Sequence, residues 1–108
     1  MTSLKIILKG IADPADVLLA EEAGVDALWV SNHGGRQLDT APATIEVLPA
    51  IRHEVNSTFI IYWGISSKMS IFIDGGVRQG SDIFKCLALG ADFVFLGRGF
   101  LYSAVKGE

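Results

Sequence analysis

The hydrophobic positions of the chain form short continuous runs, and each run is followed by a polar stretch rich in glycine. Apolar runs of four to eight residues, with no alternation of polar and apolar positions, are typical of strands that are covered on both faces. The pattern therefore predicts four buried strands, at residues 4–9, 27–30, 71–74 and 93–96.

Helical patterns occupy most of the sequence between these strands, and they predict helices at residues 13–23, 43–55 and 82–89. Asp13 is a favourable N-cap and Pro14 suits the first helical position. Ser81 is the expected cap of the third helix, and Pro49 is expected to break or restart the second. Glycine follows the first and third helices, where it favours a helix stop.

The alternation of strand and helix predicts an α/β fold with parallel strands covered by helices. A weak internal repeat supports this prediction, since residues 24–30 (GVDALWV) resemble residues 90–96 (GADFVFL). Both segments place an aspartate between a helix stop and a strand, as expected if one βα unit is used twice.

Residues 56–70 fit this scheme poorly, because a connection of about two to six residues is expected between a helix and the following strand. The segment contains the apolar cluster at residues 59–63 (FIIYW). An extra strand, an interface and a sequence foreign to the fold are the alternatives. We treat the segment as an atypical apolar insertion.

Composition excludes several classes of protein. The 108 residues are 50% hydrophobic, which excludes a disordered tail, and no apolar run reaches the length of about 20 residues that a membrane span needs. A net charge of −3 gives no positive field for nucleic acid, so no nucleic-acid partner and no membrane association are expected. Cys86 is the single cysteine, and no secretory signal is recognisable. A cytoplasmic location is the expectation.

Polar residues that can bind a ligand or take part in a reaction follow the strands at their carboxyl ends, where parallel α/β folds build their sites. Within residues 31–39 (SNHGGRQLD), His33 can titrate near neutrality, Arg36 can hold a carboxylate with two hydrogen bonds, and Asp39 could orient the imidazole. The alternative is a polar loop whose histidine only bonds the backbone. The clustering at the end of a strand favours a site.

Two glycine turns follow the last two strands and each contains an arginine. Residues 74–78 (DGGVR) and 97–99 (GRG) offer exposed backbone N–H groups beside a guanidinium, which suits a phosphate. Structural turns are the alternative. Lys9 could stabilise an anionic ring atom or simply reach solvent. Cys86 is interpreted as core, and Arg52 and His53 as surface residues. No metal site is predicted.

These segments closely resemble the FMN-dependent 2-hydroxy acid oxidase and dehydrogenase family, which includes glycolate oxidase, L-lactate oxidases and flavocytochrome b2. The matching motifs are ILKGI at residues 7–11, VSNHGGRQLD at 30–39, PATI at 42–45, DGGVR at 74–78 and LALGA at 87–91. The resemblance implies the C-terminal half of a (β/α)₈ barrel, with strands five to eight of that barrel in this chain. Residues 1–108 would then be a partial FMN-dependent 2-hydroxy acid dehydrogenase domain.

The resemblance also implies roles. His33 resembles the active-site base, Arg36 would bind the substrate carboxylate, and Asp39 would support protonated His33. Lys9 would lie at the pyrimidine edge of FMN, and Ser31 would contact the cofactor. The remaining expected cofactor-binding residues are Asp74, Gly76, Arg78, Gly97 and Arg98.

Three functions follow as hypotheses. The first is an FMN-dependent oxidase of small (S)-2-hydroxy acids of the glycolate or L-lactate class. The second is a non-catalytic half-barrel or assembly partner. The third, a phosphate-binding barrel segment of the isopentenyl diphosphate isomerase or inosine monophosphate dehydrogenase type, is disfavoured by the loop at residues 31–39. The chain ends without a peroxisomal tripeptide. A half-barrel has open edges, so it is expected to form a homo-oligomer or to need the other barrel half.

Overall fold

The structure, a computed structural model, describes residues 3–63 and 69–107. Strands and helices alternate along these residues. In chain order the elements are β1 (Ile7–Ile11), α1 (Asp16–Glu22), β2 (Ala27–Val30), a 3₁₀ turn (His33–Gly35), α2 (Thr44–Trp63), β3 (Ser70–Ile73), α3 (Gly80–Ala88), β4 (Phe93–Val94) and α4 (Arg98–Lys106).

The four strands form one parallel sheet in the order β1-β2-β3-β4. Lys9 pairs with Trp29, Trp29 with Phe72, and Phe72 with Phe93, so these four residues cross the sheet in one row. The predicted α/β fold with four parallel strands and intervening helices is confirmed.

The two faces of the sheet are both apolar, which explains the continuous hydrophobic runs of the sequence. On one face, Leu28, Ile71 and Ile73 pack against the helices in the main core. The opposite face carries aromatic rings: Trp29 stacks on Phe95 with ring centroids 4.0 Å apart, and further ring contacts extend across β3 and β4. We call this aromatic side the inner face.

β1 departs from the prediction of a buried strand that ends at Lys9. It lies at the edge of the sheet, and Ile7 and Leu8 are 45% and 39% exposed. The strand also continues beyond Lys9 to Ile11, with a register irregularity between these two residues. Lys9 therefore lies within the strand, and the irregularity at Gly10 changes the direction of the chain beside it.

Pro49 does not break α2, contrary to expectation, and the helix runs unbroken from Thr44 to Trp63. Proline removes one backbone hydrogen bond, but Leu48, Ile51 and Val55 are fully buried on both sides of it. Their packing holds the helix together. The backbone of residues 56–63 is helical, whereas residues 64–68 of the predicted insertion lie outside the described residues.

The third helix starts earlier than predicted. α3 begins at Gly80, so Ser81 lies inside the helix rather than at its cap. The carboxylate of Asp82 accepts hydrogen bonds of 3.1 Å from the backbone N–H groups of both Arg78 and Gln79. These bonds lower the pKa of Asp82. The cap is therefore formed by an aspartate that reaches back over the first turn.

An aspartate has the same structural role in both copies of the internal repeat. Asp26 accepts a hydrogen bond from the backbone N–H of Ile6, just before β1, and Asp92 accepts one from the N–H of Ile71 in β3. Each carboxylate also binds a cation, Lys5 for Asp26 and Arg52 for Asp92. Each aspartate thus ties the start of its own strand to the start of the neighbouring strand, which confirms the repeated βα unit.

The structure tests the predicted environments of Arg52, His53 and Cys86, and His53 is exposed as predicted. Arg52 is not a simple surface residue: its Nε donates to Gly90 O at 2.7 Å, and its guanidinium binds Asp92. Cys86 is buried in the core, as predicted, and burial raises the pKa of its thiol. None of the described helices is long and apolar enough to cross a membrane.

Acid is expected to remove the contribution of Asp26 to stability. The hydrogen bond from Lys5 and that from the Ile6 backbone lower the pKa of Asp26 below its ordinary value of 3.8. The contribution is therefore present above about pH 3.8 and is lost as the pH falls through the lower pKa of the folded state. Urea unfolding should show Asp26→Asn to be less stable than the parent at pH 7, with the difference shrinking below pH 3.8.

The matched control is Asp39→Asn, since Asp39 forms no hydrogen bond or ion pair within the described part of the chain. This variant should match the parent at both pH values. A stability difference for Asp26→Asn that stays constant down to pH 2.5 would contradict the assignment.

Candidate active site

An open cleft of about 1060 Å³ lies at the carboxyl ends of the strands. Eight of the ten predicted site residues line it: Lys9, His33, Arg36, Asp74, Gly76, Arg78, Gly97 and Arg98. Segments distant in sequence are brought together because parallel strands present their carboxyl ends at one edge of the sheet. The two remaining residues, Ser31 and Asp39, do not line the cleft.

Ser31 is buried beneath the cleft and joins three of the lining residues. Its hydroxyl donates to Asp74 Oδ1 at 2.7 Å, and it accepts from Lys9 Nζ at 2.7 Å and from the backbone N–H of His33 at 3.2 Å. A hydroxyl has one donor and two acceptor lone pairs, so these bonds use its full capacity. In this structure Ser31 therefore holds other site residues in place, and its hydroxyl has no further bond to give a ligand.

Lys9 is held at the floor of the cleft rather than released to solvent. Its ammonium lies 3.1 Å from Asp74 Oδ2 and 4.8 Å from the centroid of the Trp29 ring. The side chain is 37% exposed, so the ammonium remains accessible from the cleft. A cation held by a carboxylate and an aromatic face can stabilise negative charge on a ligand without moving.

His33 sits in a strained backbone conformation at the cleft wall. Its φ of +57° is left-handed, which is uncommon for residues other than glycine. Asn32 stabilises the turn, since its Oδ1 accepts from the N–H of Gly35 and its Nδ2 donates to Pro42 O, each at 3.2 Å. Strain of this kind concentrates at functional sites, where surrounding contacts hold one side chain in a defined position.

Gly10 provides the space for the imidazole of His33. A Cβ atom at Gly10 would lie 3.0 Å from His33 Nε2, and the φ of Gly10 is +102°. A side chain there would therefore be strained and would also displace the ring. The glycine after Lys9 thus leaves room for the candidate base in the turn after β2.

Asp39 is not brought to His33. It is exposed in the turn after Leu38, and no hydrogen bond or ion pair joins it to His33 in the described residues. Of the predicted trio, only His33 and Arg36 share the cleft. The orienting role predicted for Asp39 stays a prediction.

Three arginines line the cleft, and none of them forms an ion pair with a carboxylate of the described residues. Arg98 Nη2 donates to Gly34 O at 2.8 Å, which links the loop after β4 to the loop after β2. A Cβ at Gly34 would lie 3.0 Å from that same nitrogen, so the glycine permits the contact. With Arg36 and Arg78, Arg98 gives the cleft an excess of positive charge that suits an anionic ligand.

Several residues of the site were not identified from the sequence. Trp29, Phe95 and Tyr102 line the cleft, and Thr44 Oγ1 donates to the carbonyl of Asp74 at 2.6 Å. Trp29 lies beside Lys9 because the two residues pair across β1 and β2, a register that no local sequence signal sets. Phe95 follows β4, Thr44 begins α2 and Tyr102 lies on α4, so their places in the site depend on how these elements pack. Within the described residues, no group of three or more metal-ligating side chains is present.

Comparison with known proteins places this site in context. The sequence matches the family described as FMN-dependent dehydrogenase over residues 1–108. It is 47% identical over 107 residues to an L-lactate oxidase of Lactobacillus jensenii, covering 99% of this chain and 24% of that protein. It is 49% identical over 109 residues to a peroxisomal (S)-2-hydroxyacid oxidase of Arabidopsis thaliana, covering 100% of this chain and 27% of that protein.

Solved structures of oxidases also superpose on most of this chain, which covers only part of their length. A mandelate oxidase variant with (S)-mandelic acid superposes with a TM-score of 0.81 at 39% identity, covering 94% of this chain and 28% of that one. A lactate oxidase of Pediococcus acidilactici superposes with a TM-score of 0.83 at 45% identity, covering 97% and 26%. The chain thus spans about a quarter of the length of these relatives. The predicted half of a (β/α)₈ barrel is confirmed.

Proposed function

Because this chain belongs to the FMN-dependent dehydrogenase family, we propose that it supplies the proton-transfer and carboxylate-binding groups for oxidation of a small (S)-2-hydroxy acid to the 2-oxo acid. One observation carries the proposal: His33, Arg36 and Lys9 line the same cleft as the arginine-bearing turns after β3 and β4. This reaction requires a base, a cation that binds the substrate carboxylate, and an anion-binding end of the cleft for the cofactor phosphate.

The cleft fits FMN by its chemistry. The phosphate would be held by Arg78 and Arg98, with the backbone of Gly76, whose φ is +70° and where a side chain would be strained. Lys9, fixed by Asp74, would lie against the part of the ring that gains negative charge. FMN supplies the acceptor for two electrons, which no side chain of this chain can replace.

The remaining steps, binding of the substrate and removal of its proton, would fall to Arg36 and His33. Arg36 would bind the substrate carboxylate through two parallel hydrogen bonds and so fix the position of the 2-hydroxyl group. His33 Nε2 or Nδ1 would then accept a proton from the substrate as it is oxidised. The bond from the His33 backbone N–H to Ser31 fixes the backbone that carries the imidazole.

The proposal is tested by titrating the folded, purified chain with FMN and then adding glycolate or L-lactate without oxygen. Flavin fluorescence should be quenched on binding, and the visible absorbance of the oxidised flavin should bleach on adding substrate. Arg98→Ala should weaken FMN binding by about tenfold or more, because a charged hydrogen bond to phosphate is lost.

Lys85→Ala is the matched control, since Lys85 is an exposed cation outside the cleft. It should bind FMN as the parent does. A folded chain that binds no FMN at millimolar concentration would refute the proposal and leave the non-catalytic half-barrel. Binding without bleaching would retain the cofactor site and refute the oxidation.

A further inference from the structure

The guanidinium of Arg98 lies between two cavities. It lines the large cleft and also a second cavity of about 250 Å³, which the loops after β2 and β3 line as well. Within the described residues its side chain forms one hydrogen bond, from Nη2 to Gly34 O at 2.8 Å. A guanidinium carries five N–H donors, so four remain for a ligand. Since there is open space on both sides, bonding partners rather than packing fix its position.

Residues 33–35, which we call the His33 turn, depend on their neighbours to keep their conformation. All three have positive φ, from +57° to +73°. Successive left-handed residues do not form a regular structure that holds itself, so hydrogen bonds from other groups must fix the turn. Ser31 and Asn32 supply such bonds from the same loop. In the part of the chain that the structure describes, Arg98 supplies the hydrogen bond that reaches the turn from another loop.

We propose that Arg98 couples the anion-binding end of the cleft to the position of His33. The guanidinium holds Gly34 O with one N–H group and a phosphate group with the others, so a phosphate that binds Arg98 also holds the His33 turn. The inference rests on the proposed function in that this phosphate is the one of FMN and the turn carries the proposed base. Arg98 is thus a positioning residue for His33 as well as a phosphate ligand.

The coupling is favourable in both directions. An exposed arginine loses rotamer freedom when it bonds Gly34 O, and this loss opposes the bond. A phosphate that has already fixed the guanidinium removes that cost, so Gly34 O is held more firmly. Coupling between two sites is reciprocal, so a ligand that fixes the His33 turn raises the phosphate affinity of Arg98 by the same factor. The proposed base is therefore held most firmly when the phosphate is in place.

Amide hydrogen exchange in the folded full chain, with inorganic phosphate as the probe, tests the coupling without FMN. The N–H of Gly35 bonds Asn32 within the turn, so its exchange rate reports opening of the turn. Saturating phosphate should slow this exchange by about fivefold or more relative to chloride at the same ionic strength, the lower end of the range for coupled sites. The imidazole NMR signal of His33 should shift in parallel. The chain has two histidines, so His53→Asn leaves a single imidazole signal.

Arg98→Lys and Arg78→Lys are matched variants. Each keeps a positive charge at the anion-binding end, and each should bind phosphate more weakly because an ammonium lacks the planar pair of donors. At saturating phosphate, Arg78→Lys should still protect the Gly35 amide, since no described hydrogen bond joins Arg78 to the His33 turn. Arg98→Lys should lose the protection although phosphate is bound. Both arginines are exposed, and circular dichroism checks that both variants are folded.

The outcomes separate this coupling from the proposed function. Equal protection in Arg98→Lys and the parent would overturn the coupling, because the charge of the phosphate would then act through space. Phosphate that binds the parent without slowing exchange would also overturn it and would leave the FMN site intact. Protection by phosphate in a chain whose bound FMN is not reduced by substrate would support the coupling and contradict the oxidation alone. A chain that binds neither phosphate nor FMN would overturn both.

Discussion

His33→Asn is expected to slow substrate-driven flavin reduction by about 10²- to 10⁴-fold, the range usually lost with a general base, while FMN binding changes little. Asparagine is the sharpest replacement because it tolerates the left-handed backbone that His33 adopts at φ +57°. The backbone hydrogen bond to Ser31 is retained, so the variant removes the proposed proton acceptor without distorting the turn. Stopped-flow absorbance under anaerobic conditions measures the rate directly.

The control for this experiment is His53→Asn on α2, an exposed histidine that does not line the cleft. Its flavin reduction rate should equal that of the parent. His33→Ala gives a second comparison, since alanine removes the ring but is strained at positive φ, and it should lose stability as well as rate. Reduction of His33→Asn within threefold of the parent rate would remove His33 from the role of base.

Gly75→Ala is expected to lower the free energy of unfolding by about 2–4 kcal/mol, from backbone strain and overpacking together. The φ of Gly75 is +110°, and a Cβ there would lie 2.8 Å from Thr44 Oγ1. Thr44 cannot move aside cheaply, because it is buried and its hydroxyl donates to Asp74 O. The substitution should therefore also disturb Asp74 and, through it, Lys9. Urea unfolding followed by circular dichroism measures the stability.

Gly24→Ala separates the two contributions. Gly24 also has a positive φ, at +75°, but nothing lies within 4 Å of a Cβ built there. This variant should lose only about 1 kcal/mol, the lower end of the range for a residue held in the left-handed conformation. Equal losses for the two variants would mean that the contact with Thr44 contributes nothing.

The sequence predicted the elements well where local chemistry decides them. Continuous apolar runs located all four strands, and Gly24 and Gly90 ended helices at the predicted places, each with positive φ. The prediction from sequence failed where tertiary packing overrides the local preference of a residue for ending or capping a helix. Pro49 remains within a helix because buried neighbours hold both sides, and Ser81 loses the cap to Asp82, which reaches back from the first turn.

For the site, the sequence determined which polar and cationic side chains follow the strands and that the strand ends would gather them. SNHGGRQLD and the two arginine-bearing turns sufficed for that, since the carboxyl ends of parallel strands share one edge. Only the tertiary structure decided that Ser31 joins Lys9 and Asp74, because those bonds link the ends of three different strands. It likewise separated Asp39 from His33, six residues apart in sequence. A short separation along a loop does not bring two side chains together in space. The register of a parallel sheet, in contrast, fixes which residues lie side by side.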